Sequence, residues 1–153
     1  MSTLDANESP AARLAREGEG RVLVVDDSPS VLFVLRRTLE AMAFSVDTAA
    51  SLEDALGALR RTPYRAVITD LRLAGDERTL GLELVAEACA SHPETTVIVL
   101  TGFGNPTVMD QVFRLGARFY FEKPVAIDRL KVALAAVPPR GGARAEALAE
   151  TRA

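Results

Sequence analysis

Short, almost continuously apolar runs alternate along this chain with stretches of helical periodicity, and that alternation leaves it few folds. Residues 22–25 read Val-Leu-Val-Val, and residues 96–100 read Thr-Val-Ile-Val-Leu. Residues 44–48, 65–69 and 117–121 read as three further strands. Ser28-Pro29 supplies an N-cap and a first-turn proline. Leu32, Leu35, Leu39 and Met42 then follow at spacings of 3, 4 and 3, which is one helix face. Leu52, Leu56 and Leu59 mark a second helix over 51–61, stopped before Pro63, and residues 80–90 a third. Asn105-Pro106 opens a fourth, carrying Val108, Val112 and Leu115 and closed by Gly116. Ile127, Leu130, Leu134 and Val137 mark the fifth. Strands apolar on both faces must be covered on both faces. Five βα units therefore predict an α/β fold, a parallel sheet doubly wound by right-handed crossovers. Residues 21–137 carry this rhythm. Residues 1–20, and residues 138–153 with their Pro-Pro and Gly-Gly opening, read as flexible polar tails.

Composition narrows the function. The 153 residues are 48% hydrophobic and 25% charged, enough for one core. Lys+Arg 18 against Asp+Glu 21 leaves a net charge of -3, so no basic footprint for nucleic acid is expected. No apolar run approaches the roughly 18 residues of a membrane span. The opening MSTLDANESP does not read as a secretory signal, and a cytoplasmic location is expected. A single cysteine, Cys89, and a single histidine, His92, argue against disulfides, Cys/His zinc sites and Ser-His-Asp hydrolases. Cys89 reads as a small packing residue near the end of the third helix, and His92 as a surface residue in a Ser-His-Pro turn.

Open parallel sheets bind ligands outside the carboxyl ends of their strands. Here the first strand ends in Asp26-Asp27, the third in Asp70, and the fourth in Thr101 and Gly102. Lys123-Pro124 follows the fifth. Two carboxylates about 5 Å apart repel by roughly 3 kcal/mol at an effective dielectric of about 20, so three together require a counter-ion. Mg²⁺ suits an all-oxygen site that keeps room for water and phosphate. Lys123 offers a mobile point charge for a phosphate oxygen, and Thr101 a hydroxyl donor. Singly, each residue has an ordinary structural reading: a capping aspartate, a solvated lysine, a β-branched strand end. Their supply from four different βα loops is what points to a divalent metal and a phosphoryl group.

Four strings carry a resemblance: VLVVDDSPSV around Asp26 and Asp27, AVITDLRL around Asp70, VIVLTGFG around Thr101, and FYFEKPV around Lys123. Over residues 21–137 the chain resembles the receiver domains of two-component response regulators. The TGFG and EKPV strings look most like receivers of nitrogen-regulator-type proteins. The resemblance implies a flavodoxin-like (βα)5 fold with strand order 2-1-3-4-5. It implies that Asp70 accepts a phosphoryl group from a histidine kinase or phosphotransfer protein in a phosphorelay. It also implies that Asp27 binds Mg²⁺ directly, with Asp26 acting mostly through water and the Arg72 carbonyl and Asp70 completing the metal site. Thr101 and Tyr120 match the switch pair, and Lys123 the phosphate-contacting lysine; Lys123-Pro124 should be cis. Such a domain is no multi-turnover enzyme. It helps catalyse only its own phosphorylation and slow hydrolysis, switching a protein-interaction surface.

The loop after Asp70, LRLAGDERTLG, is longer than the family pattern and lacks its proline. Arg72 there either covers the site or points into solvent. Gly102-Phe103-Gly104 is followed by Thr107 rather than a dinucleotide-binding glycine, and reads as a turn of small residues beside the phosphate. No G-x-x-x-x-G-K-[ST] loop is present, and Asp26-Asp27-Ser28 lacks a D-x-D spacing. Two other functions compete: a receiver-shaped interaction module that works without phosphate, and a metal-dependent phosphohydrolase with Asp70 as nucleophile. The fourth helix carries a wide apolar stripe of Val108, Met109, Val112 and Phe113. Met109, Phe113, Tyr120 and Val125 are therefore the expected surface for a downstream target protein or a homodimer. No second hydrophobic core follows Val137, so a chain ending at 153 would act through a protein contact, with no direct nucleic-acid or membrane binding.

Overall fold

A computed structural model describes residues 20–73, 79–102, 104–125 and 127–137. The expected tails, apart from Gly20, and residues 74–78 of the long loop lie outside these. Five strands, β1 (Arg21–Val25), β2 (Ser45–Ala49), β3 (Ala66–Thr69), β4 (Thr96–Thr101) and β5 (Phe119–Glu122), form one sheet. All neighbours are parallel, in the order β2-β1-β3-β4-β5. The connecting helices are α1 (Pro29–Ala41), α2 (Leu52–Arg61), α3 (Thr79–Ser91), α4 (Pro106–Leu115) and α5 (Ile127–Ala136).

Alternation along each strand divides the core in two. Leu23, Val25, Val67, Val97 and Val99 face α2, α3 and α4. Val22, Val24, Ile68, Ile98 and Leu100 face α1 and α5. The helix starts are those the sequence indicates. Ser28, Ser51 and Asn105 each accept a backbone N–H from three residues on, and prolines occupy the first turns of α1 and α4. Gly116, left-handed at φ 116°, closes α4.

Two differences have physical reasons. β5 begins two residues later than the apolar pattern suggests, because Ala117 and Arg118 are used in leaving α4: their N–H groups donate to Val112 and to Val97 of β4. The inward face of α2 centres on Ala55, Ala58 and Leu59, with Leu52 and Leu56 only half-buried. Small residues there let the helix lie close to the sheet.

Two arginines secure the far end of the molecule. Arg118, fully buried, donates to the Ala136 carbonyl at 3.1 Å, and Arg65 donates to the Val137 carbonyl at 2.7 Å. These are carbonyls at the end of α5 that lack helical partners, at the negative pole of its dipole. The alkyl stems and guanidiniums pack over Phe119 and Phe44.

Candidate functional site

Strand register builds the site. Val25 of β1 is paired with Thr69 of β3, so the next residues, Asp26 and Asp70, stand abreast as the strands end. The Asp26 N–H donates to Ala49 and the Asp70 N–H to Val25, which holds both backbones in line with the sheet. On the other side, Thr101 of β4 pairs with Glu122 of β5 and accepts the N–H of Lys123 at 2.8 Å. That bond brings the lysine over the two acids. The Lys123–Pro124 peptide is cis.

The Lys123 ammonium lies between the carboxylates, 2.7 Å from Asp26 Oδ2 and 2.9 Å from Asp70 Oδ2. Asp26 and Asp70 are 3% and 6% exposed, and the lysine side chain 26%. Each carboxylate uses its other oxygen on the backbone. Asp26 Oδ1 accepts from Ser28 N–H at 2.9 Å. Asp70 Oδ1 accepts from Leu71 N–H at 2.6 Å and from Arg72 N–H at 3.2 Å. Burial alone would lower the Lys123 pKa, but the hydrogen bonds and negative charges of Asp26 and Asp70 outweigh it and raise it. The turn that aims Asp70 is itself pressed from outside. A Cβ on Gly81, in the first turn of α3, would overlap the backbone of Leu71, so glycine lets the helix rest on the acceptor loop.

The expected site residues fall into two groups. Asp26, Asp70 and Lys123 converge, and the fully buried Thr101 joins them through its carbonyl, which accepts the Lys123 N–H. Asp27 does not join the lysine; the chain turns after Asp26, and the Asp27 side chain is exposed. Arg72 is half-buried, and its backbone N–H serves Asp70. Among the described residues, no group of three or more Asp, Glu, His or Cys side chains is arranged to hold a metal. The donor chemistry nevertheless fits a hard cation. Asp26 and Asp70 bring two charges against one ammonium, Asp27 adds a third at the rim, and every side-chain donor is oxygen.

Tyr120, expected as the aromatic half of the switch pair, has its hydroxyl buried. Its ring packs on the α2–α4 side of the core, 6.5 Å from that of Phe113. Met109 is 39% exposed on α4, as anticipated. Val125, expected on or beside α4, β5 and α5, adjoins Ile127 of α5. It packs on the opposite face of the sheet, lining a cavity of about 520 Å³ with Val31 and Val34 of α1, because the turn at Pro124 carries the chain toward α1. Reading the sequence missed the exposed Phe33, Val34 and Val132. Phe33 and Val34 fall between Leu32 and Leu35, where a helix face of spacing 3 and 4 already accounted for the apolar residues.

A family model described as the response regulator receiver domain matches residues 22–135. The chain belongs to that family. The receiver domain is 34% identical over 125 residues to the acid tolerance regulatory protein ActR of Rhizobium meliloti, a match covering 82% of this chain and 61% of ActR. It thus spans less than two thirds of that relative. A response regulator from Burkholderia pseudomallei, solved with a phosphorylated aspartic acid, calcium ion and citrate, is 30% identical with a TM-score of 0.69, covering 74% of this chain and 65% of that one. The response regulator TrrA of Thermotoga maritima, solved with Mg²⁺ and BeF, is 29% identical with a TM-score of 0.67, covering 77% and 98%. The receiver fold and its place in two-component signalling follow. Among the described residues, no helix is long and apolar enough to cross a membrane.

Proposed function

We propose that this receiver domain is a phosphoryl-accepting switch in a phosphorelay, with Asp70 as acceptor and a histidine kinase or phosphotransfer protein as donor. The observation that carries this reading is the buried Asp70 carboxylate, aimed by two backbone N–H groups and bridged to Asp26 by Lys123. An Asp70 oxygen forms a bond to phosphorus as the P–N bond of the donor phosphohistidine breaks. The bonding pair leaves on the imidazole nitrogen, and the product is an acyl phosphate. The chain contributes positioning and charge. Lys123, a point charge on a flexible stem, passes from Asp70 Oδ2 to a phosphoryl oxygen. Asp26, Asp27, Asp70 and the Arg72 carbonyl would hold Mg²⁺. When bound, it neutralises charge on the transferring group. Turnover is confined to this domain's own acyl phosphate, so it is not a multi-turnover enzyme, and its place is the cytoplasm.

Incubation with a small acyl phosphate and Mg²⁺ tests the assignment. One phosphoryl group per chain is expected, and its absence overturns the reading. Millimolar Mg²⁺ should also raise the melting temperature by mass action, and Asp27→Ala should abolish that rise. An equal rise in both proteins would indicate a nonspecific ion effect.

The donor is proposed to approach over α1. Phe33 and Val34 are 62% and 53% exposed on α1, and Val34 lines the cavity that Lys123, Pro124 and Val125 also line. The output face is α4 with β5, where Met109, Phe113 and Tyr120 lie together and Asp110 pairs with Arg114 at 2.8 Å on the rim. Its occupant is a downstream target or a second copy. Phosphorylation, or its beryllium fluoride mimic, is expected to change self-association in sedimentation or capture of a target, and Phe113→Asp to remove the change. If that variant behaves as wild type in both assays, the output lies elsewhere.

A further inference from the structure

Gly104 lies three residues after Thr101, just before the Asn105 cap of α4. A turn of small residues beside a phosphate does not account for it. What demands it is Tyr120. A Cβ built on Gly104 would fall within the van der Waals radius of Tyr120 Oη, 2.6 Å from Cζ and 3.2 Å from Thr101 Cγ2. The tyrosine ring therefore ends directly on the bare Cα of residue 104, beside the Thr101 methyl. Phe113 of α4 packs against the ring at 6.5 Å. Three elements of different origin meet at this seat: the end of β4, the entrance to α4 and the middle of β5.

We propose that Gly104 is a positioning residue that acts through Tyr120. The missing side chain at 104 is the space into which the tyrosine hydroxyl fits, and a single methyl there holds the ring outside whatever the state of Asp70. The second half of this statement rests on the proposed role of Asp70; the first does not. Thr101 touches the same space, so a shift of its side chain toward a phosphoryl group and a filled position 104 would act on the ring in opposite senses. A substituted protein would accept phosphate and fail to transmit it.

The chain has two tyrosines and no tryptophan, so a ¹³C-tyrosine label gives two ring signals, and the one lost in Tyr120→Val is that of Tyr120. In Gly104→Ala the Tyr120 signal is expected to move to that of an exposed ring. It should be the same with and without Mg²⁺ and beryllium fluoride, while acyl-phosphate labelling of Asp70 stays at the wild-type level. A Tyr120 signal unchanged from wild type in both states overturns the proposal. If the wild-type protein takes no label, the reading of Asp70 fails, yet the ring displacement in the untreated variant still decides the seat. Should Gly104→Ala unfold, it is combined with Tyr120→Val. The pair is expected to melt where Tyr120→Val alone does, because the clash has lost its partner. A pair as unstable as Gly104→Ala alone would show that the methyl meets something else and would also overturn the proposal.

Discussion

Replacing Asp70 by Asn will abolish phosphoryl uptake from an acyl phosphate while leaving the fold intact. The amide keeps the size of the carboxylate, and its oxygen still accepts from Leu71 and Arg72 N–H. It lacks the charge and the nucleophilic oxygen that attack phosphorus. Asp26 is equally buried and shares Lys123, but a single backbone N–H, that of Ser28, aims its carboxylate where two aim Asp70. No second acceptor is therefore expected. The loss should be complete within detection, measured as mass gain or radiolabel. A melting temperature near that of wild type would show that chemistry, not folding, was removed. Label retained on the variant at the wild-type stoichiometry would place the acceptor elsewhere.

Replacing Lys123 by Met will destabilise the domain, because it leaves two buried carboxylates abreast with their shared cation gone. Breaking a buried ion pair from one side costs about 3–5 kcal/mol, and the quarter exposure of Lys123 puts this case near the lower figure. Chemical denaturation at neutral pH should show a loss of about 3 kcal/mol. Mg²⁺ should restore more stability to the variant than to wild type, since a cation then takes the ammonium's place. The pH dependence has a definite sign. The Lys123 pKa is raised on folding, burial working against the stronger effect of Asp26 and Asp70. Its contribution is therefore fully present below the unfolded value of about 10.4 and is lost as pH rises through the higher folded value. The gap between wild type and Lys123→Met should be constant from neutral pH to about 10 and narrow above it. A gap that instead narrows toward neutral pH would mean that Lys123 is not the counter-ion of these acids.

Local signals carried much of this protein. Apolar strands and helix spacing are properties of a few neighbouring residues, so five βα units could be read directly. The rule that ligands gather at strand carboxyl ends then selected Asp26, Asp27, Asp70, Thr101 and Lys123 from among many polar residues. Caps such as Ser28, Ser51 and Asn105 were legible for the same reason, since each satisfies donors only three residues away.

The sequence by itself determined the order of elements, the doubly wound class and the list of polar residues at the strand carboxyl ends, because those follow from periodicity and short-range hydrogen bonding. Only the tertiary structure decided which of two adjacent aspartates meets the lysine. That choice depends on the pairing of Val25 with Thr69 and of Thr101 with Glu122, residues far apart in the chain. It likewise decided that Val125 joins α1, that Arg65 and Arg118 close the end of α5, and that Gly104 receives Tyr120. Each of these is a contact between segments whose separation is set by strand register and helix packing, and no local pattern encodes the distance between two side chains brought together that way.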